Sequence, residues 1–569
     1  MSDDKAKEII RRTDALRQAD YNVWLPLWQA CVDRFIPSVG HVISSGRGER
    51  KNLDGENRPG PIDKIGVLSC RRYASGMSSR IAPSNQRWSR LKDTRPALKD
   101  NQEVKEYWDK TSESLSNYLN ASNFETVKGE VFEQLGAVGT CCILFTKGTK
   151  TLFNFQIIPI GTYEFSVDHE NNVVEVARWF EMTPVQAEAM NQTIWGGKAK
   201  FGKSVAKALE PGAPDELKHQ KQKWLHSVRK RAIYDPQARN DRNMPWESCY
   251  VHVEDMQTVH EGGYTSCPYI IARAIVRPSE KWGRSNGMEV IDEQDLTSRT
   301  KRATVLAVEE QVNPRTFKKA SHKYAIRNSP GGITIIDNDR DVIDRETKSN
   351  PQYGRELLLM QHEIVQKFFH IDLFEMFDSL LAGGKPPTMT LGEFRIRFTE
   401  KLLSIAPEVG RSLNEFLTPV HLRAFDIMNQ AGVLDLPPAI MGRVADFKVE
   451  YTNSITIALK ALKNQDIIAA FEDIGMVAAQ AASVAPGKAA EVMDNFDFDK
   501  IIRELYENSG AVTEGLFSTD EVSAVRMMRA QQAQLAQLSE LANKGADTIN
   551  KLPEGAQEDI VSQFQLAMG

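Results

Sequence analysis

The chain has 569 residues, enough for several domains with sizeable cores and too many for a small module. Charged residues at 26% and hydrophobic residues at 41% are ordinary globular values and exclude wholesale disorder. A formal net charge of −5 excludes a protein that coats nucleic acid through bulk positive charge, while permitting local basic patches.

Near the start, Trp24, Leu27, Trp28, Cys31 and Phe35 share one helical face, which predicts one or two helices over residues 4–36 with a break near Pro26. Residues 40–60 are glycine-rich and carry Arg47, Arg50, Lys51 and Arg58, a polar loop that is either solvated or a contact for an acidic partner. A helix is expected from Asp63 to about Ile81, stopped by Pro83, with Trp88 and Leu91 docking an extended segment after it. Helices over 101–119 and from Phe124 to Gly136 lead to strands at Thr140–Phe145, Phe153–Ile160, Thr162–Val167 and Val173–Glu181. Residues 184–226 have helical composition. Strands follow at Ser227–Tyr234, Cys249–Val253 and Tyr269–Val276, with Gly262 and Gly263 expected to form a hairpin turn.

Residues 288–312 look helical but carry Asp292, Glu293, Asp295, Arg299, Lys301, Arg302, Glu309 and Glu310, too polar a set for a core. Residues 313–350 break the helix, with short strands expected at Tyr324–Ile326 and Gly332–Ile336. Leu357, Met360, Ile364, Phe368, Ile371, Phe374, Phe377 and Leu381 then mark one long helix. LLAGGKPPT, Leu380–Thr388, breaks it as a short projecting loop.

Beyond the loop, apolar residues from Leu391 through Phe394, Phe398, Leu402, Ile405, Val409, Leu413, Phe416, Val420 and Ala424 to Ile427 recur at steps of three and four without a slip. Thr390 and Glu393 read as a capping box and Gly432 as the stop, which gives a helix roughly 60 Å long. Pro407 and Pro419 should kink it without breaking the stripe. The stripe equally fits a long core helix of a large helical protein. A β-like FKVEYTNS follows, then helices near 456–484, 488–494 and 497–508, and a Gln/Ala-rich helix over 519–541 opened by a Ser518–Glu521 capping box.

Motifs for chemistry are absent. Gly383, Gly384 and Lys385 precede Pro386 and Pro387, so no helix N-terminus follows to hold a phosphate. His362 and Glu363 open a zinc-protease pattern, but Gln366 takes the second histidine's place. No GxSxG elbow occurs, and Asp494, Asp497 and Asp499 read as caps and solvated faces. The six cysteines form no CxxC pair and join no histidine at zinc spacing, so reduced, mostly buried thiols, no metal and no cofactor are expected. MSDDKAKEIIRR leads into no signal-type core, and no run approaches about 18 apolar residues, which predicts cytoplasmic synthesis and no membrane span.

Four stretches in this order resemble the portal, or head-to-tail connector, proteins of short-tailed double-stranded DNA phages. They are PSNQRWSRL at Pro83–Leu91, FETVKGEVFEQLGAVGTCCILF at Phe124–Phe145, CPYIIARAIVRPSEKWGRSNG at Cys267–Gly287, and the bent helix with its LTP and closing AGVLDLPP. The sequence departs from the pattern at Trp282, where tyrosine is usual, and at Gly392, which weakens the first helical turn.

The resemblance implies a non-enzymatic, predominantly helical α+β subunit of a twelve-membered ring around a DNA channel. It places a wing at 1–286, stem helices at 287–312 and 351–379, a clip at 313–350, and a tunnel loop at 380–389. The bent helix and wing return would occupy 390–455 and a crown 456–569. Lys385 would face the DNA, and Lys318, Lys319, His322 and Lys323 would lie near the partner-facing surface of the clip. Implied partners are duplex DNA of any sequence, the terminase large subunit, a tail adaptor, and the major capsid and scaffold proteins. The setting is one vertex of a virion assembled in host cytoplasm. An internal virion or scaffold protein with long helices and no channel is the alternative.

Overall fold

α1 (Ser2–Phe35) is one helix of roughly 50 Å that runs through Pro26 without the expected break. The proline sits on the exposed side, as does Asn22, whose carbonyl it leaves without a helical donor. The computed structural model describes residues 2–39, 61–84, 86–95, 102–235, 243–312, 316–320, 350–381, 391–434, 447–458, 497–508 and 519–549, with isolated positions between them. These fall into two units, Met1–Leu459 and Lys460–Gly569, and the described elements are mixed helix and sheet.

In the first unit, α2 (Ile65–Ile81) leads to β1 (Ser89–Asp93), α3 (Gln102–Asn120) and α4 (Phe124–Val138). α4 stops at Gly139, whose φ of +76° and backbone approach to Gly283 and Arg284 leave no room for a Cβ. β2 (Thr140–Lys147) then pairs antiparallel with β3 (Phe153–Ile158) on one side and β9 (Tyr269–Arg273) on the other.

β4 (Tyr163–Val167), β5 (Val173–Met182), β6 (Gln222–Lys230), β7 (Trp246–His252) and β8 (Gln257–Tyr264) form a second, wholly antiparallel sheet in that order. Its period-two alternation serves two cores. Ala177, Trp179, Leu225 and Val251 pack under Ala6, Ile9 and Ile10 of α1, whereas Met182, Trp224, Tyr250 and Val259 pack under α5 (Pro184–Thr193) and α6 (Lys203–Leu209).

Two expectations are corrected in this sheet. Helical structure does not extend to residue 226. After the short α7 (Asp215–His219), β6 starts at Gln222, because Trp224 and Leu225 are buried on opposite faces, and it ends before Tyr234. Gly262 and Gly263 lie inside β8, opposite Ser248 and Glu247; the turn is made at residues 253–256, where Met256 takes a φ of +48°.

Downstream, α8 (Asn286–Glu289) and α9 (Ile291–Val312) precede β10 (Thr316–Lys318), which pairs with β11 (Val342–Asp344). The expected strands at 324–326 and 332–336 fall mostly outside the described residues, and Ile335 and Ile336 are exposed and not in a strand. α10 (Pro351–Phe368) and α11 (Ile371–Leu381) replace the single helix expected across this region. They are divided at His370, with a φ of +54°, which turns Phe369 into full burial against Phe35 and Tyr73.

α12 (Leu391–Arg411) continues through Pro407. A π-helical segment, Ser412–Leu417, joins it to α13 (Thr418–Gln430), in whose first turn Pro419 stands. The Leu413 carbonyl receives Thr418 Oγ1 at 2.9 Å and Tyr451 Oη at 3.2 Å, which holds the widened turn just before the proline. Leu402, Ile405, Val409, Phe416, Val420, Ala424 and Ile427 are buried as the stripe requires, and Gly432 ends the run at a φ of +70°. Thr390 lies outside the described residues. β12 (Phe447–Tyr451) returns to pair with β1, Leu91 opposite Val449.

Trp282 is fully buried, edge-on to Trp28 and Phe165 at 4.6 Å each, with its Nε1 donating to Asp20 at 3.2 Å. In the second unit, α14 (Phe498–Asn508) and α15 (Thr519–Ile549) are joined by a two-pronged Arg526–Asp499 pair at 2.6 Å. α15 runs past the expected end at 541. The helices expected over 456–484 and 488–494 lie largely outside the described residues, as does Ser518.

Candidate functional site

The polar helix is the unusual element. From residue 298 onward no residue of α9 is buried, and the antiparallel α10 beside it is exposed along most of its first half. The two approach closely where Gly354 meets the Thr304 side chain. Apolar groups stand in water along the pair: Leu306 is 53% exposed, Val312 80%, Tyr353 71% and Met360 63%. A helical pair that leaves such groups uncovered presents a surface for association.

The base of the pair is fixed by Asp63, which stands just before α2 and is 2% exposed. Its carboxylate accepts from Ile65 N at 2.8 Å and contacts Lys301 Nζ of α9 at 3.2 Å and His362 Nε2 of α10 at 3.1 Å. Gln294 of α9 donates to its carbonyl at 2.8 Å. Against the opposing effect of burial, Ile65 N, His362 and Lys301 hold the Asp63 carboxyl below its ordinary value. The histidine of the failed zinc pattern is therefore a structural clamp, and Glu363 pairs with Lys367 at 2.8 Å.

α2 also supports the hairpin α11–α12, which flanks residues 382–390. Phe374 of α11 seats on Gly76, and the Arg80 guanidinium lies 5.4 Å from the Phe374 ring centre and 5.2 Å from that of Phe377 while bonding Asp378 at 2.6 Å. Two turns back on α2, Tyr73 Oη donates to Glu408 of α12 at 2.9 Å. Phe377 and Phe398 pack edge-on at 4.9 Å between the two arms. The π-helical segment is tied to the sheet region by Arg273, 4% exposed, which grips both oxygens of Glu415 at 2.9 Å.

Of the residues singled out in the sequence, Lys385, Gly383, Gly384, Pro386 and Pro387 lie outside the described residues, as do His322 and the arginines of the 40–60 loop. Lys318, Lys319 and Lys323 are exposed. Four residues that no motif singled out tie these elements together at separate places: Asp63, Arg80, Arg273 and Glu408. In the sequence only Arg273 stands out, as the one charged residue of the apolar YIIAR strand; Arg80 and Glu408 lie on helices that carry other charges.

One arrangement has the makings of a catalytic set and fails on connectivity. Asp255 stands between Ser204, whose Oγ donates to it at 2.7 Å, and His252, whose Nδ1 faces it at 3.0 Å. The serine thus meets the acid and not the base, and the acid also receives Ser204 N at 3.1 Å as a cap on α6. Among the described residues no three His, Cys, Asp or Glu groups could hold a metal, and no helix is long and apolar enough to cross a membrane. All six thiols are free; five are buried.

The family of bacteriophage head to tail connecting proteins matches residues 6–516, and the chain belongs to that family. It is similar to a probable portal protein of Bordetella phage BPP-1, 27% identical over 558 residues that cover 96% of this chain and 95% of the relative. It is also similar to a portal protein of Salmonella phage epsilon15, 23% identical over 489 residues and 84% of each chain.

Proposed function

We propose that this chain is the portal subunit of a double-stranded DNA phage, a non-enzymatic conduit that assembles with copies of itself into a ring around a DNA channel at one capsid vertex. The observation that carries the reading is the α9–α10 pair, a base clamped by Asp63 under an exposed, partly apolar shaft, in a chain of the head-to-tail connecting family. In a ring, copies of the same shaft flank one another, so Leu306, Val312, Tyr353 and Met360 gain neighbours while exposed charged residues of α9 such as Arg299, Arg302 and Glu309 face water or DNA.

On this reading α9 and α10 are the stem, and 313–350, with the β10–β11 pair, is the clip on which the terminase large subunit and later a tail adaptor dock near Lys318, Lys319, His322 and Lys323. The α11–α12 hairpin carries the tunnel loop within 382–389, since α11 takes in Leu380 and Leu381 of the expected loop, and Lys385 comes near the phosphate backbone. The bent helix, hinged about Pro407 and Pro419, crosses from channel to wing, and the second unit forms the crown. Capsid and scaffold proteins surround the wing. DNA of any sequence must slide, so contacts are few and made to phosphates.

Negative-stain imaging of the purified full-length chain tests the proposal: closed rings with a central hole are expected, and Leu306→Asp with Met360→Asp should leave dispersed subunits. A monodisperse monomer of the unaltered chain would refute it.

A further inference from the structure

A buried polar cluster lies where the loop-bearing hairpin leaves the α9–α10 pair. Four elements meet there: α2 through Tyr73, α8 through Asn286, the α10–α11 junction through His370, and α12 through Glu408. Glu408 is 7% exposed. Tyr73 Oη donates to its Oε1 at 2.9 Å, and Asn286 Nδ2 reaches the same oxygen at 3.4 Å. Oε2 is directed to His370 Nε2 at 3.9 Å. The carboxyl is thus met by two neutral donors and an imidazole.

The junction has the geometry of a hinge. His370 is a non-glycine residue in the left-handed region, φ +54°, and its carbonyl receives the amides of Leu373 and Phe374 at 3.1 and 3.4 Å. A rotation at this one residue changes the angle between α10 and α11, and with it the position of the hairpin. We infer that the Glu408–His370 pair holds one proton in the closed fold, and that this proton latches the hinge and so positions the α11–α12 hairpin.

With the proton present the pair is neutral overall, either as carboxylic acid with neutral imidazole or as carboxylate with imidazolium. Without it, the pocket holds one net negative charge away from water, and opening at His370 is the route by which solvent reaches that charge. Burial pushes the Glu408 carboxyl up to about 7, Tyr73 and Asn286 act against that, and Glu289 of α8 adds to it. Burial, and then Lys401 of α12, hold His370 below its ordinary value. Lys401 is itself paired with Asp372 of α11, so the charged groups facing the latch are Glu289, Lys401 and Asp372, with Tyr73 the remaining titratable neighbour. A carboxyl raised in the fold contributes stability that is complete below its ordinary value and is lost as pH rises from that value to about 7.

The test is amide hydrogen exchange of residues 371–381 in the full-length protein between about pH 5.5 and 8.5, corrected for intrinsic rates. The protein as isolated is expected to lose protection tenfold or more in a step that starts below and levels off above about pH 7, while Glu408→Gln, a neutral isostere, exchanges with no step. The same step in Glu408→Gln, or no step in the unaltered protein, overturns the latch. Should Glu408→Gln fail to fold, Tyr73→Phe removes a donor to the carboxylate and must move the step to higher pH; an unmoved step overturns the inference equally. Only the consequence for the tunnel loop rests on the portal reading. Exchange is measured without DNA, so a flat profile removes the latch and leaves the channel, whereas a clear step in a protein that forms no ring removes the channel and leaves the latch.

Discussion

Gly76→Ala is the substitution whose effect follows most directly from the coordinates. A Cβ at this position would lie 2.6 Å from Cγ of Phe374 and 2.7 Å from both Cδ atoms, so the ring, 5% exposed, has to move. Alanine in a helix interior gains about 1 kcal/mol over glycine, and forcing extra volume into a packed contact costs about 1–3 kcal/mol. The net expectation is a loss of about 0–2 kcal/mol, felt first where α11 sits on α2. Phe374→Ala alone should cost about 3–5 kcal/mol by emptying the same space. The double variant should cost less than the sum by about 1 kcal/mol or more, because the new methyl then enters a vacated site. A chain of two units does not unfold in one step, so the readout is the local opening free energy of α11 from native-state hydrogen exchange. Strictly additive effects, or greater protection in Gly76→Ala, would refute the claim that this glycine exists to seat Phe374.

Three further outcomes are expected. Asp63→Asn should loosen the base of the α9–α10 pair by about 1–3 kcal/mol. Because the Asp63 carboxyl is held below its ordinary value, its contribution is present above about pH 4 and lost as pH falls through the folded value. Thermal scans should therefore show a shallower acid dependence in Asp63→Asn, and equal slopes would count against the clamp. Burial pushes the thiols of Cys31 and Cys249 up to about 12, so a maleimide at pH 8 should leave both unlabelled in the native protein and label both in denaturant; rapid native labelling would contradict their placement. Lys385→Glu should impair packaging or retention of the genome, read as DNA content per particle, and full-length packaging by that variant would remove this lysine from the channel.

Much of the helical architecture was legible locally. The boundaries of α3 and α4, the buried β2, the stripe from Leu402 to Ile427 and the stop at Gly432 follow from spacing and end signals that neighbouring residues carry among themselves. The polarity of α9 was equally plain, and the unburied run from residue 298 agrees with it. Other features depended on contacts between distant residues, which no local pattern encodes. α1 passes Pro26 because Trp24, Leu25 and Trp28 are buried on its other side while Pro26 stays exposed. Trp224 and Leu225 make a strand because a core waits on each side of the sheet. Gly262 and Gly263 lie within a strand because β7 supplies their partners, and the stripe through Phe368 breaks at His370 because Phe369 has Phe35 and Tyr73 to reach. Asp63 with His362, and Glu408 with Tyr73 and Asn286, join residues 122 to 335 positions apart. Periodicity sets which face of an element is apolar; the partner brought to that face decides where an element ends and which ionisable groups it shelters.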